Sequence, residues 1–260
     1  MVVLDVLFVR HGLSCANVWS SLFKPTAMMY ADPELTRYGI DLCVERKPAL
    51  EAAIRAKFGD EHYSIGSSCM IRAQMTAYHQ LASDKSKPIH ILPHIAELGN
   101  TYSGTPLPAT QQAPILGPAI VAKLGTDVRG DVSNKAKSNW PLFLDWVNGL
   151  GEEISSFFTP VDHEGERVYR AVLFSHSHFL EKVFGIFPQN NDVIHAKVDT
   201  ASKAILSATP MTSFPRITDP RGQSLDGCRF QTSYQTVTGT PKRSRKVGGR
   251  RHRKSIRARK

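Results

Sequence analysis

The chain opens on Val2-Val3-Leu4-Asp5-Val6-Leu7-Phe8-Val9, a nearly unbroken apolar run rich in β-branched residues. A run of that length without polar alternation predicts a strand covered on both faces, as in a parallel sheet. It has no basic start and no small-residue cleavage site, so it reads as a strand rather than an export signal. Residues 17–23 form a polar loop with helical potential. Residues 35–58 read as helix interrupted at Pro48, with Leu50, Ala53, Ile54 and Phe58 at helical spacing in the second half. Residues 63–66 and 89–92 are short strand candidates, and Ser67-Ser68 offers an N-cap to a helix running to about residue 81. Residues 140–158 place Leu142, Phe143, Trp146, Val147 and Leu150 on one side of an amphipathic helix. A second clear buried strand spans 168–174, a short helix 179–187 and a last strand 204–208.

Residues 98–139 and 210–240 lack periodicity and are rich in Gly, Pro, Thr and Gln. They read as irregular covering segments, the second passing into a linker. Strands alternating with helices over this length imply an α/β fold: a three-layer sandwich with a mostly parallel sheet flanked by helices. The expected division is a catalytic domain over 1–210, a covering segment and linker over 211–240, and a disordered tail over 241–260. Ligands of such sheets bind beyond the carboxyl ends of the strands.

Those strand ends carry the candidate chemistry. Leu7-Phe8-Val9 delivers Arg10-His11-Gly12, and Val172-Leu173-Phe174 delivers Ser175-His176-Ser177. If the two strands are parallel neighbours, both imidazoles emerge at one rim. A lone histidine at a strand end is usually structural; two at matched positions, one flanked by arginine and glycine, suggest an anion site, with Gly12 allowing close backbone approach.

Four ordered segments resemble the histidine phosphatase (phosphoglycerate-mutase-like) superfamily. Arg10-His11-Gly12-Leu13-Ser14-Cys15-Ala16-Asn17 is similar to its R-H-G-x-[ST]-x-x-N signature, and Leu35-Thr36-Arg37-Tyr38-Gly39 to its L-T-x-x-G helix start. The segment from Ser67 through Arg72 and Ala73 to Thr76-Ala77 is similar to S-S-x-x-x-R-A-x-x-T-A, and Phe174-Ser175-His176 to a strand ending in S-H. The resemblance spans about residues 2–185. It implies a metal-independent phosphomonoester hydrolase without cofactor, acting through a phosphohistidine on His11. Arg10, Asn17, Arg72 and His176 would bind the phosphoryl group, and Glu97 would be the general acid. It implies a phosphorylated small molecule or phosphoprotein as substrate. A mutase-type phosphotransferase and an inactive phosphatase-fold scaffold that binds polyanions are the alternatives. The chain departs from the family pattern after His176, where glycine is usual and Ser177-His178 stands, so His178 competes with His176 for its role. His94-x-x-Glu97 lacks a partner ligand at helical spacing, which argues against zinc, and His79 reads as a packed histidine.

Charge then separates the chain into two parts. The formal net charge is +10, yet 11 of the 33 Lys and Arg residues, and none of the 23 Asp and Glu, fall in 241–260. The remainder balances at 22 basic against 23 acidic residues. A block of like charge with little apolar content is expected to be disordered and to bind nucleic acid or other polyanions in a salt-dependent way. No aromatic residue is interleaved from 242 to 260, which argues against base stacking. Nuclear targeting and attachment to an anionic surface are further readings, and the Gly-punctuated composition resembles tails on proteins of large DNA viruses. Four scattered cysteines without a C-x-x-C pair point to a reducing intracellular setting.

Overall fold

The computed structural model describes residues 2–22, 31–60, 62–81, 87–98, 102–125, 139–148, 161–163 and 165–229. The basic tail and residues 230–240 of the linker lie outside them, as do residues 149–158 of the expected long helix. Residues 1–228 form one compact unit.

The two apolar runs lie side by side at the centre of a seven-stranded sheet. Strand β1 (Val2–Arg10) pairs in parallel with β5 (Glu166–Ser175) over its whole length, from Val2 opposite Arg167 to Arg10 opposite Ser175. β2 (Ser64–Ser67) adds to the free edge of β5, and β3 (Ile89–Ile91) adds to β2, both in parallel. Across β1, β6 (Val193–Asp199) and β7 (Ile205–Pro210) continue antiparallel, and β4 (Val161–His163) pairs antiparallel with the start of β5. The order β3-β2-β5-β1-β6-β7 is thus parallel for its first four strands and antiparallel at one edge.

Alternate residues of β1 supply opposite cores, which is why the run shows no polar alternation. Leu4, Val6 and Phe8 pack against Phe143, Leu144 and Val147 of α6 (Trp140–Asn148) and Phe179 and Leu180 of α7 (Ser177–Phe184). Leu7 and Val9 face Leu50, Ala53, Ile54 and Phe58 of α2 (Arg37–Phe58) and Ala73, Ala77 and Leu81 of α3 (Ile71–Leu81). Each such fully buried side chain contributes about 1.5–3 kcal/mol. The outcome is the expected three-layer α/β sandwich.

Several details differ from expectation. Helix α2 runs unbroken through Pro48; Pro48 and Val44, whose carbonyl loses its partner there, both face outward, where water can take that bond. The stretch 98–139 holds a 3₁₀ turn at Tyr102–Gly104 and helices α4 (Ala109–Leu116) and α5 (Pro118–Val121). Helix α7 stops at Phe184 rather than residue 187, capped by Gly185 in the left-handed region at φ 70°. Strand β6 was not anticipated.

Residues 211–228 add no strand to the sheet, yet they pack closely on the body. The Arg46 guanidinium lies 4.2 Å from the Phe214 ring centroid. Ile217 and Leu225 pack against Leu13, Val18 and Leu42. A disulfide joins Cys228 to Cys15, the first residue of α1 (Cys15–Leu22). The sequence reading, which took a reducing setting as its default, did not foresee that pairing.

Candidate active site

The parallel register of β1 and β5 decides where the site lies. Arg10 is opposite Ser175, so His11 and His176 are the next residues at the same rim. The His11 main-chain N–H donates to the Ser175 carbonyl at 3.0 Å, and the two imidazole centroids lie 5.1 Å apart. Both rings are buried.

The motif residues lock this rim in place. Thr36 caps α2 by accepting from the Gly39 N–H at 2.9 Å, while its own N–H donates to the Leu13 carbonyl at 3.1 Å. A Cβ on Gly39 would collide with that carbonyl, so the helix start docks directly onto the loop after His11. Gly12 is needed for the same packing: a Cβ there would stand 2.6 Å from Cys43 Sγ. Close fit against α2 is therefore one requirement that this glycine meets. Its N–H donates to Thr76 Oγ1 at 2.9 Å, tying the loop to α3.

The hydrogen bonds of His11 fix its tautomer. Nδ1 lies 2.7 Å from the Gly12 carbonyl, which can only accept, so Nδ1 carries the proton and Nε2 the lone pair. Arg72, in the first turn of α3, donates its Nε–H to that Nε2 at 3.2 Å. Burial, then the cations Arg72 and Arg10, hold the His11 pKa well below the usual histidine value, which keeps the ring neutral. Arg72 is anchored by Nη1 on the Ser103 carbonyl at 3.0 Å. Arg10 donates from Nη1 to the Pro188 carbonyl at 2.8 Å, and its buried Nε meets no protein acceptor among the described residues. Burial lowers the Arg10 pKa to about 10, leaving it cationic at neutral pH.

His176 is oriented from behind. Its Nε2 is 2.7 Å from Ser68 Oγ, and that oxygen accepts from the Met70 N–H at 3.1 Å. Nδ1 turns the other way, 3.8 Å from Glu97 Oε2. Burial and the surrounding cations depress its pKa too. Glu97 therefore sits inside the cluster: Oε2 is 3.9 Å from Arg72 Nη2, and Oε1 is 3.7 Å from His178 Nδ1 and accepts from the Leu98 N–H at 3.1 Å. His178 itself is largely exposed, 64% at the side chain, and so approaches Glu97 from the outside.

Asn17 stands at the edge. Its Oδ1 accepts from the Ser14 N–H at 3.1 Å and the Ser14 hydroxyl at 3.0 Å. His94 packs among Phe143 and Trp146, and His79 is half-buried beside Tyr78. Among the described residues, ligating atoms of His11, Glu97 and His176 lie within 4.8 Å of one another, close enough to share an ion. Two guanidinium groups in the same pocket make it electropositive and favour an anion over a divalent cation.

Sequence reasoning missed three supporting residues. Ser68 was read as a helix cap and as part of the S-S-x-x-x-R-A resemblance, with no role at the site. Asp32, buried, accepts from the Ile71 N–H at 2.8 Å and from Gln112 Nε2 at 2.9 Å, joining the start of α3 to α4. Asn190 Nδ2 donates to the His11 carbonyl at 2.9 Å. Polar residues in loops carry no periodic signal, so these three roles could not be read from the sequence.

No family model and no curated protein matches the chain. Solved structures do. An ecdysone phosphate phosphatase from Bombix mori matches at 13% identity over 83% of this chain and 95% of that one, with a TM-score of 0.45. A mycobacterial glucosyl-3-phosphoglycerate phosphatase matches at 15% over 82% and 99% (TM-score 0.45). An alpha-ribazole phosphatase from Shigella flexneri matches at 14% over 82% and 100% (TM-score 0.41). All three of these proteins are phosphatases. At such identities and scores they say nothing of activity or substrate, which must rest on the residues themselves.

Proposed function

We propose that the chain is a metal-independent phosphomonoester hydrolase of the histidine phosphatase type, with His11 as nucleophile. The observation that carries this reading is the state of His11: a neutral imidazole, its lone pair on Nε2, held against the Arg72 guanidinium at 3.2 Å. A base kept unprotonated among cations is suited to attack an electron-poor centre that arrives with negative charge.

In the proposed reaction the phosphate monoester displaces the Arg72–His11 contact and lies between Arg10, Arg72 and His176. If the Ser68 hydroxyl donates to His176 Nε2, the His176 proton sits on Nδ1 and points at the phosphoryl oxygens. The His11 Nε2 lone pair forms the N–P bond as the P–O bond to the leaving group breaks. Glu97, entering as the acid, gives its proton to the departing oxygen. Water then attacks phosphorus, Glu97 takes its proton, and the N–P bond breaks to return neutral His11. The guanidinium groups stabilise charge on the equatorial oxygens throughout, the work that Mg²⁺ does at other phosphoryl-transfer sites. Asn17 and Asn190 position the His11 loop.

The substrate is a phosphorylated small molecule or phosphoprotein, and the proposed catalytic body ends near residue 210, followed by a covering segment and the basic tail. No helix among the described residues is long and apolar enough to cross a membrane. Release of phosphate from an aryl phosphate tests the proposal. The wild-type chain should turn over and His11→Ala should not; equal rates from both would end the enzyme reading.

A further inference from the structure

A groove of about 480 Å³ adjoins the proposed phosphate pocket: Arg10 belongs to both, and Asn17 lines the groove. That volume suits a small molecule. Arg46 and Arg216 also line it, and among the described residues its lining contains no Asp or Glu. Asp192, the carboxylate whose field reaches both Arg10 and Arg46, is engaged by the Gln189 N–H at 2.6 Å and the Phe214 N–H at 2.7 Å.

Arg46 is held ready. Its Nη1 donates to the Asn190 carbonyl at 2.6 Å and its guanidinium lies over Phe214. The Asn190 side chain in turn donates to the His11 carbonyl, so a single residue links Arg46 to the nucleophile's backbone. Arg10 brings a buried Nε without a protein acceptor among the described residues. Phe187, 51% exposed, adds an apolar surface beside Arg10, 5.7 Å from its guanidinium carbon. The outer wall comes from Pro215 to Ile217 and from Gly222 and Gln223, in the segment that the Cys15–Cys228 disulfide fastens to α1.

We infer that this groove selects phosphomonoesters whose leaving group carries a second anionic group, a carboxylate or another phosphate, received by Arg46 and Arg216. The inference rests on the proposed phosphate pocket. One anion would occupy the space between Arg10, Arg72 and His176, and the second would lie along the groove. Guanidinium groups prefer such planar or tetrahedral oxyanions.

Titration calorimetry on the full chain reads this without relying on turnover. Phenylphosphonate would be compared with 3- and 4-carboxyphenylphosphonate, each a non-hydrolysable monoester mimic. The better carboxylated ligand should bind about tenfold more tightly than phenylphosphonate, the worth of one charge-assisted hydrogen bond. Arg216→Glu should reduce that ratio to one or below, and Arg46→Gln should lower it. Arg55→Glu, an exposed helix residue outside the groove, should leave the ratio unchanged; a drop there equal to that of Arg216→Glu would mean general charge attraction and overturn the inference. Equal affinity for all ligands in the wild-type chain would overturn it as well. If none of them bound, the phosphate pocket itself would fall, and the inference with it. Preferential binding by a chain that releases no phosphate would sink the catalytic proposal and sustain the groove.

Discussion

Replacing Arg72 probes the site where most of its contacts meet. The side chain is 4% exposed, donates to His11 Nε2 at 3.2 Å and to the Ser103 carbonyl at 3.0 Å, and lies 3.9 Å from Glu97. Arg72→Gln removes a charged donor from the place where negative charge develops on the phosphoryl oxygens. Loss of one such donor costs about 2.7–4 kcal/mol of transition-state stabilisation, or roughly 100- to 1,000-fold in kcat/KM. Arg72→Lys keeps the charge but cannot reproduce the planar fork, and should recover no more than about tenfold of that loss. The change also acts on the nucleophile. Arg72 is, after burial, the largest cause of the depressed His11 pKa. Without it the ring protonates more readily and the acid limb of the kcat/KM profile moves to higher pH. The assay is release of 4-nitrophenol from its phosphate between pH 4.5 and 8, with circular dichroism to confirm folding. A folded Arg72→Gln variant within threefold of wild type at every pH would refute the reasoning.

Further expectations follow from the same geometry. Glu97→Gln should slow turnover of alkyl phosphates by about 100-fold or more, as expected for a lost general acid. Good aryl leaving groups, which need little protonation, should suffer far less; equal losses across a leaving-group series would argue against Glu97 as the acid. Stability should fall on acidification: His11 and His176 have depressed pKa values when folded, so below about pH 6.5 the unfolded chain binds more protons than the native one. The unfolding free energy from urea melts in phosphate-free buffer should drop from pH 7 to pH 5, by up to about 1.4 kcal/mol per pH unit for each imidazole, and His176→Gln should soften the slope. Deleting 241–260 should abolish retention on heparin or DNA while leaving aryl phosphate turnover in place; unchanged retention would contradict the assignment of polyanion binding to the tail.

Much of the frame was legible because its signals are local and periodic. The runs at 2–9 and 168–174 declared themselves as doubly covered strands, and their shared ending placed His11 beside His176 once they paired in parallel. Pro48 misled because the rule against proline inside helices ignores which way the residue faces, and here the orphaned carbonyl at Val44 looks to solvent. Strand β6 escaped notice because His195 and Lys197 break its apolar run; in the fold both turn toward Asp5, with His195 Nε2 2.7 Å from the carboxylate and Lys197 Nζ 4.0 Å. At the site, residues that would touch phosphate stood out by type and order. Those that orient them did not: the roles of Ser68 and Asn190 depend on neighbours 108 and 179 positions away along the chain.

The central claim is a covalent bond between His11 and phosphorus. The direct measurement is to mix the chain with a slowly hydrolysed phosphomonoester, quench in alkaline denaturant to preserve phosphoramidate, and map the adduct by mass spectrometry. The account predicts one phosphoryl group on the peptide carrying His11, absent from His11→Ala. An adduct on His176 instead, or turnover of substrate with no adduct on any histidine, would contradict it.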